Sequence, residues 1–259
     1  DSNLRPPGCK LRVELYFSRR NEENFTNVNF INGKFESNHG EIRIIVMSKL
    51  NTNRPQLAQE FDTLFEVIQQ EVADLTEVHL NFTSDEWAWA QWSIRNQLSH
   101  MARLIPSWLI TRFGKMLFPN NAHGFKNLDM EPITNSPSQG RLDDSVYWEL
   151  SEIMVILRTS IDLVRQVLRE NSETQLRQYM VKRDPTPQWK MMAKAHPSGV
   201  TVQGDPAYGT MTLEATIRHI YFEEITHLYN IQRLKKAQGI GPASQLPKVG
   251  YWVLEEWDR

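Results

Sequence analysis

Between residues 142 and 171 the chain carries Val146, Leu150, Ile153, Leu157, Ile161, Val164 and Leu168, an alternation of fours and threes sustained over roughly three heptads. Only an α-helix gathers residues at that spacing on one face, so the pattern predicts a helix over about Leu142 to Asn171 with a single apolar stripe. A stripe of that length needs partners, and the chain supplies them. Leu57, Phe61, Leu64, Phe65, Ile68, Val72 and Leu75 predict a helix from about Gln56 to Leu75. Leu98, Met101, Leu104 and Ile105 mark the inner side of a helix that starts near its N-cap, Ser93, and that Pro106 is expected to kink. A last long helix starts at a cap on Thr210 or Thr212 and ends near Gly239. A shorter helix is expected from about Thr174 to Lys182. Proline- and glycine-rich stretches at 118–141 and 183–209 connect these pieces as long crossings. Four long helices with such crossings imply an all-α fold, a four-helix bundle with long crossover loops.

The composition narrows the class further. With 259 residues, 40% of them hydrophobic, the chain has enough apolar material for one well-formed core. Its 29 basic and 31 acidic residues leave a formal charge of -2, which gives no global field for nucleic acid or an anionic membrane. No window reaches the roughly 18 to 20 consecutive apolar residues of a bilayer span, and the amino end lacks the charged-then-apolar pattern of a secretion signal, so a cytoplasmic location is expected. Residues 1–46 follow neither helical spacing nor sustained alternation. They are expected to be a leader upstream of an internal start at Met47, disordered or spurious, with residues 47–259 forming the helical domain. A small β-hairpin annex is the alternative, because "LRVELYF" and "GEIRIIV" have strand-like composition.

The stretch "RHIYFEEITHLYN", residues 218 to 230, departs from the apolar pattern of its helix. Leu213, Ile217, Ile220, Ile231 and Leu234 define the inner face, yet continuing their spacing through the middle lands on Glu224 and His227. Glu223 and His227 stand one turn apart in height and about 40 degrees apart in azimuth, so their head groups can converge on one ion. His100, on the second helix between Leu98 and Met101, points inward too. The only cysteine, Cys9, can form neither an internal disulfide nor a thiolate zinc site, so a metal here has to be held by imidazole and carboxylate. Two nitrogens and one carboxylate oxygen suit zinc or nickel, with iron or manganese as further choices and a position left for water. The competing reading is plain. An inward histidine can be a hydrogen-bonded core residue, and Glu223 or Glu224 a solvated flank.

"WSIRNQLSHMARL" and "HIYFEEITHLYNIQRLKKAQG" resemble the two signature helices of the DinB-like (YfiT/DinB) metal-dependent superfamily. Its pattern is a Trp-Ser-x-Arg entry to the second helix, a histidine a few residues on, and a His-x-x-x-His pair on the last long helix. Trp92, Ser93, Arg95 and His100 match the first part and His227 the second histidine of the pair, while Glu223 stands where the family has the first. The resemblance covers most of the chain after Met47. It implies an up-down-down-up four-helix bundle and a divalent-metal site of His100, Glu223 and His227, with His219 as a substitute ligand or a residue that orients Glu223. The implied activity is a metal-dependent thiol S-transferase or related hydrolase on a small-molecule substrate, using a low-molecular-weight thiol. Glu224 or His219 would be the proton carrier. The alternative function is a non-catalytic bundle whose polar seam serves structure or homodimerisation.

Several other residues have simpler expectations. Trp87, Trp89 and Trp92 either line a substrate mouth near His100 or close one end of the bundle. His79 reads as solvated, and His123 as a loop residue that could close over the site. Lys115, Lys126 and Arg141 read as surface charge or as contacts for an acidic thiol, whereas Arg233, Lys235 and Lys236 suit the negative end of the last helix. The tail, with Tyr251, Trp252 and Trp257, is apolar enough to pack over the helices or against a second subunit.

Overall fold

A computed structural model of the chain describes residues 53–183, 185–186, 188–204 and 207–255, with the side chains of 53–56 and 183 left aside. The expected leader and Trp257 lie outside the described residues. The described part is mainly helical, built on α1 (Asn53–Val72), α2 (Ile94–Pro106), α3 (Leu150–Glu170) and α4 (Leu213–Ala237).

The stripes read from the sequence explain the packing. Leu57, Phe61, Leu64, Phe65, Ile68 and Val72 of α1 are all buried, as are Leu98, Met101, Leu104 and Ile105 of α2 and Ile153, Leu157, Ile161, Val164 and Leu168 of α3. α1 and α2 each pack against both α3 and α4, so the four helices surround one apolar interior. Polar links cross it where a backbone carbonyl is within reach: Ser160 Oγ donates to Ala102 O at 2.8 Å, and the Arg165 guanidinium donates to Phe61 O and Asp62 O. The caps behave as their residue types dictate. Ser93 Oγ accepts from Asn96 N, and Thr212, of the two candidate threonines, accepts from Ala215 N, each at 3.2 Å. Pro106 ends the α-helical winding of α2, and a π-helical segment over Ser107–Arg112 continues it.

Three expectations need correction. The third helix starts at Leu150, eight residues later than its apolar spacing predicts. Residues 142–149 are turn instead, because Asp143 Oδ1 accepts from Ser145 N and Oγ, an Asx-type arrangement that competes with helix, and Ser99 Oγ takes up the Leu142 N–H. Val146, assigned to the inner stripe, is therefore 48% exposed. Second, the short helix expected over Thr174–Lys182 runs only from Glu173 to Gln178 and gives way to a strand. Third, the crossing at 183–209 is not irregular throughout. β1 (Met180–Arg183), β2 (Val200–Gln203) and β3 (Tyr208–Thr212) form an antiparallel sheet in the order β1-β3-β2, with Met180 opposite Thr212 and Val200 opposite Met211. Strands of four and five residues separated by proline and glycine offer too little alternation to be read from sequence.

No helix among the described residues is long and apolar enough to cross a membrane. After α4 the chain turns back along it as a strap, residues 238–255. Tyr229 OH donates to Leu246 O at 3.1 Å, and Trp252 stacks on Tyr229 at 4.1 Å between ring centroids.

Candidate metal centre

His100, Glu223 and His227 come together where the middle of α4 faces α2. One ligand-capable atom from each lies within 4.8 Å of those of the other two. The sequence explains the convergence: Glu223 and His227 are one helical turn apart, and His100 stands one turn and a half into a helix whose apolar side packs on α4. The imidazoles of His100 and His227 are 4.6 Å apart between centroids, and Trp92 lies beside both, at 5.2 Å and 6.3 Å, nearly parallel to His227.

Each histidine is tied by the nitrogen that faces away from the cluster. His100 Nδ1 donates to the carbonyl of Gly140 at 2.7 Å, and His227 Nδ1 donates to Gln97 Oε1. These bonds fix the tautomer and leave Nε2 as the nitrogen each ring can offer. Gly140 presents its carbonyl from a left-handed turn, φ +84°, which residues with a Cβ rarely adopt. Burial, followed by the neighbouring His227, pushes the His100 pKa down to about 3, so the ring is neutral at physiological pH. Glu223 goes the other way. Burial raises its pKa, but His227, His219 and His100 more than offset this and hold it at about 2, an ionised carboxylate. Its oxygens are 3.7 Å from His227 Nε2 and 3.8 Å from His219 Nδ1, beyond hydrogen-bonding distance.

The donor set therefore fits a divalent cation: two imidazoles with Nε2 open, one anion, and an arrangement in which no donor is consumed by another. Ligand atoms around a tetrahedral zinc stand about 3.3 Å apart at bond lengths near 2.0 Å, so the three side chains have to draw in by about an ångström. No family model, curated protein or solved structure matches the chain. The site rests on its own geometry.

The remaining candidates separate clearly. His219 is brought beside Glu223 but is buried, with its Nδ1 2.6 Å from the hydroxyl of Tyr251 and the edge of Trp108 against its ring. Glu224 is fully buried, and neither carboxylate oxygen has a hydrogen-bond partner among the described residues. Burial, with the charge of Glu223 behind it, pushes the Glu224 pKa well above the usual carboxylate value. His123 is held inside its own loop, accepting from Phe125 N and packing on Phe118. His79 accepts the Thr76 N–H. Of the three Trp-rich-loop residues only Trp92 reaches the cluster, since Trp87 stacks on Trp89, which in turn meets the Arg233 guanidinium. Arg141 binds Asn96 and Asp144. Lys235 is not a surface cation at a helix end but is buried against Glu71 at 2.6 Å. An open cleft of 520 Å³ lined by Arg112, Met116, Met180 and Lys182, among others, takes in none of the cluster residues.

Sequence reasoning missed Gln97, Gly140, His196 and Tyr251. Gln97 was within reach of it, lying three residues before His100 on the same helix face. Gly140 and Tyr251 are in loop and strap segments without periodicity.

Proposed function

We propose that the chain is a divalent-metal-binding, DinB-like four-helix bundle, with α1 to α4 in up-down-down-up order, and that it works as a metal-dependent thiol S-transferase or a related hydrolase on a small electrophile. The observation that carries this reading is the pair of outward-tied imidazoles, His100 on Gly140 and His227 on Gln97, facing the ionised and under-satisfied Glu223. Zinc or nickel suits the donor set best, with iron and manganese as the harder alternatives. When bound, such an ion supplies the ionisation of a thiol or water near neutral pH.

The chain's own residues prepare the centre for that chemistry. Gln97 and Gly140 fix the ring orientations, so each imidazole turns Nε2 toward the cluster. Glu223 contributes the negative charge, and with its side chain 21% exposed against 12% for His227 it stands on the open side where a substrate has to arrive. Trp92 covers the two imidazoles and limits water access. No cysteine lies in the helical domain, so the thiol has to be a small-molecule one. His219, beside Glu223, is the candidate for handling a proton; Glu224 lies apart from the open side and has no role in this reading.

Metal analysis of protein prepared without chelators tests the proposal: close to one divalent ion per chain is expected, lost in His227→Ala. A screen of low-molecular-weight thiols with a chromogenic electrophile then tests the transferase reading. Protein that holds no ion and shows no thermal shift with zinc or nickel points instead to a bundle whose polar seam is structural.

A further inference from the structure

Glu223 sits between two groups of histidines. One carboxylate oxygen faces His227 and, beyond it, His100; the other faces His219 Nδ1 at 3.8 Å. On this second side the strap enters. Tyr251 OH lies 2.6 Å from His219 Nδ1 and 3.2 Å from His196 Nε2, and all three residues are buried, at 0%, 3% and 5% exposure respectively. A phenol carries one O–H, so at most one imidazole accepts from it and the other must donate. The hydroxyl therefore fixes a tautomer as well as a ring position.

The approach of the strap is built into the backbone. Gly250 has φ +64°, and a Cβ there would lie 2.4 Å from the Phe222 ring, so only glycine lets the chain press against α4 at the residue before Tyr251. The strap is fastened on both sides of this point, by Tyr229 on Leu246 O and by Trp252 stacked on Tyr229. His196, from the helix Gln188–Ala195 that precedes it, stacks on Phe222 and backs the phenol from the far side.

We propose that Tyr251 is a positioning residue of the metal centre, holding His219 against Glu223 so that the carboxylate keeps the orientation in which it can serve as the third ligand. The inference rests on the metal-centre reading above. Tyr251→Phe separates it from simple packing, because the ring stays and only the hydroxyl goes.

Apo Tyr251→Phe is expected to melt a few degrees below wild type, because two buried imidazole nitrogens lose the hydroxyl, to bind one cobalt(II) per chain 10- to 100-fold more weakly, and to shift the visible d–d bands of the bound cobalt. His219→Gln is expected to do the same, and Tyr251→Phe added to His219→Gln is expected to cause no further weakening. Wild-type affinity and an unchanged cobalt spectrum in Tyr251→Phe overturn the positioning role while leaving the metal centre standing. Wild-type protein that takes up no cobalt overturns both. If Tyr251→Phe does not fold, His219→Gln decides: unaltered affinity and spectrum there remove the link through which Tyr251 would act.

Discussion

Two carboxylates face α4 or belong to it, Glu71 buried and Glu223 partly exposed, and their surroundings are opposite. Glu71 of α1 accepts from Lys235 Nζ, Gln232 Nε2, Ala243 N and both the N–H and hydroxyl of Ser244, at 2.6 to 3.1 Å. Glu223 stands among three histidines with no nitrogen closer than 3.7 Å. Glu71 is saturated by its own protein and fastens the strap to the helices. Glu223 is ionised, its pKa held at about 2 beside the three histidines, yet it makes no hydrogen bond to them and is 21% exposed, so its oxygens stay open to a ligand. The difference teaches where to look for function: a charge the fold has fully answered is structural, and one it has gathered cations or metal ligands around without answering is waiting for a partner.

Removing a partner should hurt the first site most. Lys235→Met leaves Glu71 as an uncompensated buried charge and should cost about 3–5 kcal/mol in urea unfolding. Glu223→Gln in the metal-free protein should cost less than Lys235→Met, because Glu223 is partly exposed and has no nitrogen within hydrogen-bonding distance among the described residues. Equal losses in the two variants would erase the contrast.

Acid should act on the first site in a defined window. Burial raises the Glu71 pKa, but the bonds from Lys235, Ser244, Gln232 and Ala243 more than offset it, to about 2 against an ordinary 4.5. A native pKa below the unfolded one means the stability is present in full above pH 4.5 and is lost as pH falls from there toward 2, a contribution of about 3 kcal/mol. His196, held near 3 by burial first and by His219 and Arg218 after it, adds an earlier loss: the unfolded chain takes up that proton below pH 6.5. Unfolding free energies from pH 8 to 3 should therefore fall in two stages, and Lys235→Met should lack the Glu71 part of the second, with the part from Glu223 remaining.

Glu224 offers a third case, a buried carboxyl group with no hydrogen-bond partner among the described residues. Glu224→Leu should stabilise the protein by about 1–3 kcal/mol and leave metal uptake unchanged. A loss of uptake would draw Glu224 into the centre. The smallest expected effect is at the cap that starts α2: Ser93→Ala should cost about 1 kcal/mol and, by fraying the turn that carries Trp92, weaken metal binding only slightly.

The long helices were legible because their stripes are periodic and interior burial follows that periodicity closely, as Phe61, Ile68, Leu98, Leu157 and Ile161 illustrate. Spacing also sufficed for His100, Glu223 and His227, since partners one turn apart on one helix need only a neighbour facing them. Periodicity failed where local side-chain bonds beat it. Val146 continues the stripe on paper, but Asp143 and Ser145 turn the chain before helix can begin. It was silent where contacts join distant segments, so the Lys235–Glu71 pair, 164 residues apart, and the reach of Tyr251 to His219 left no trace in the pattern.

A metal centre here requires His100, Glu223 and His227 to close around one cation. Crystals grown with one equivalent of zinc, and an anomalous difference map recorded at the zinc edge, test this most directly. A single peak about 2.0–2.2 Å from Nε2 of His100, Nε2 of His227 and a carboxylate oxygen of Glu223 is the predicted result. A map without a peak between these three side chains, from crystals in which zinc has bound elsewhere or not at all, would contradict it.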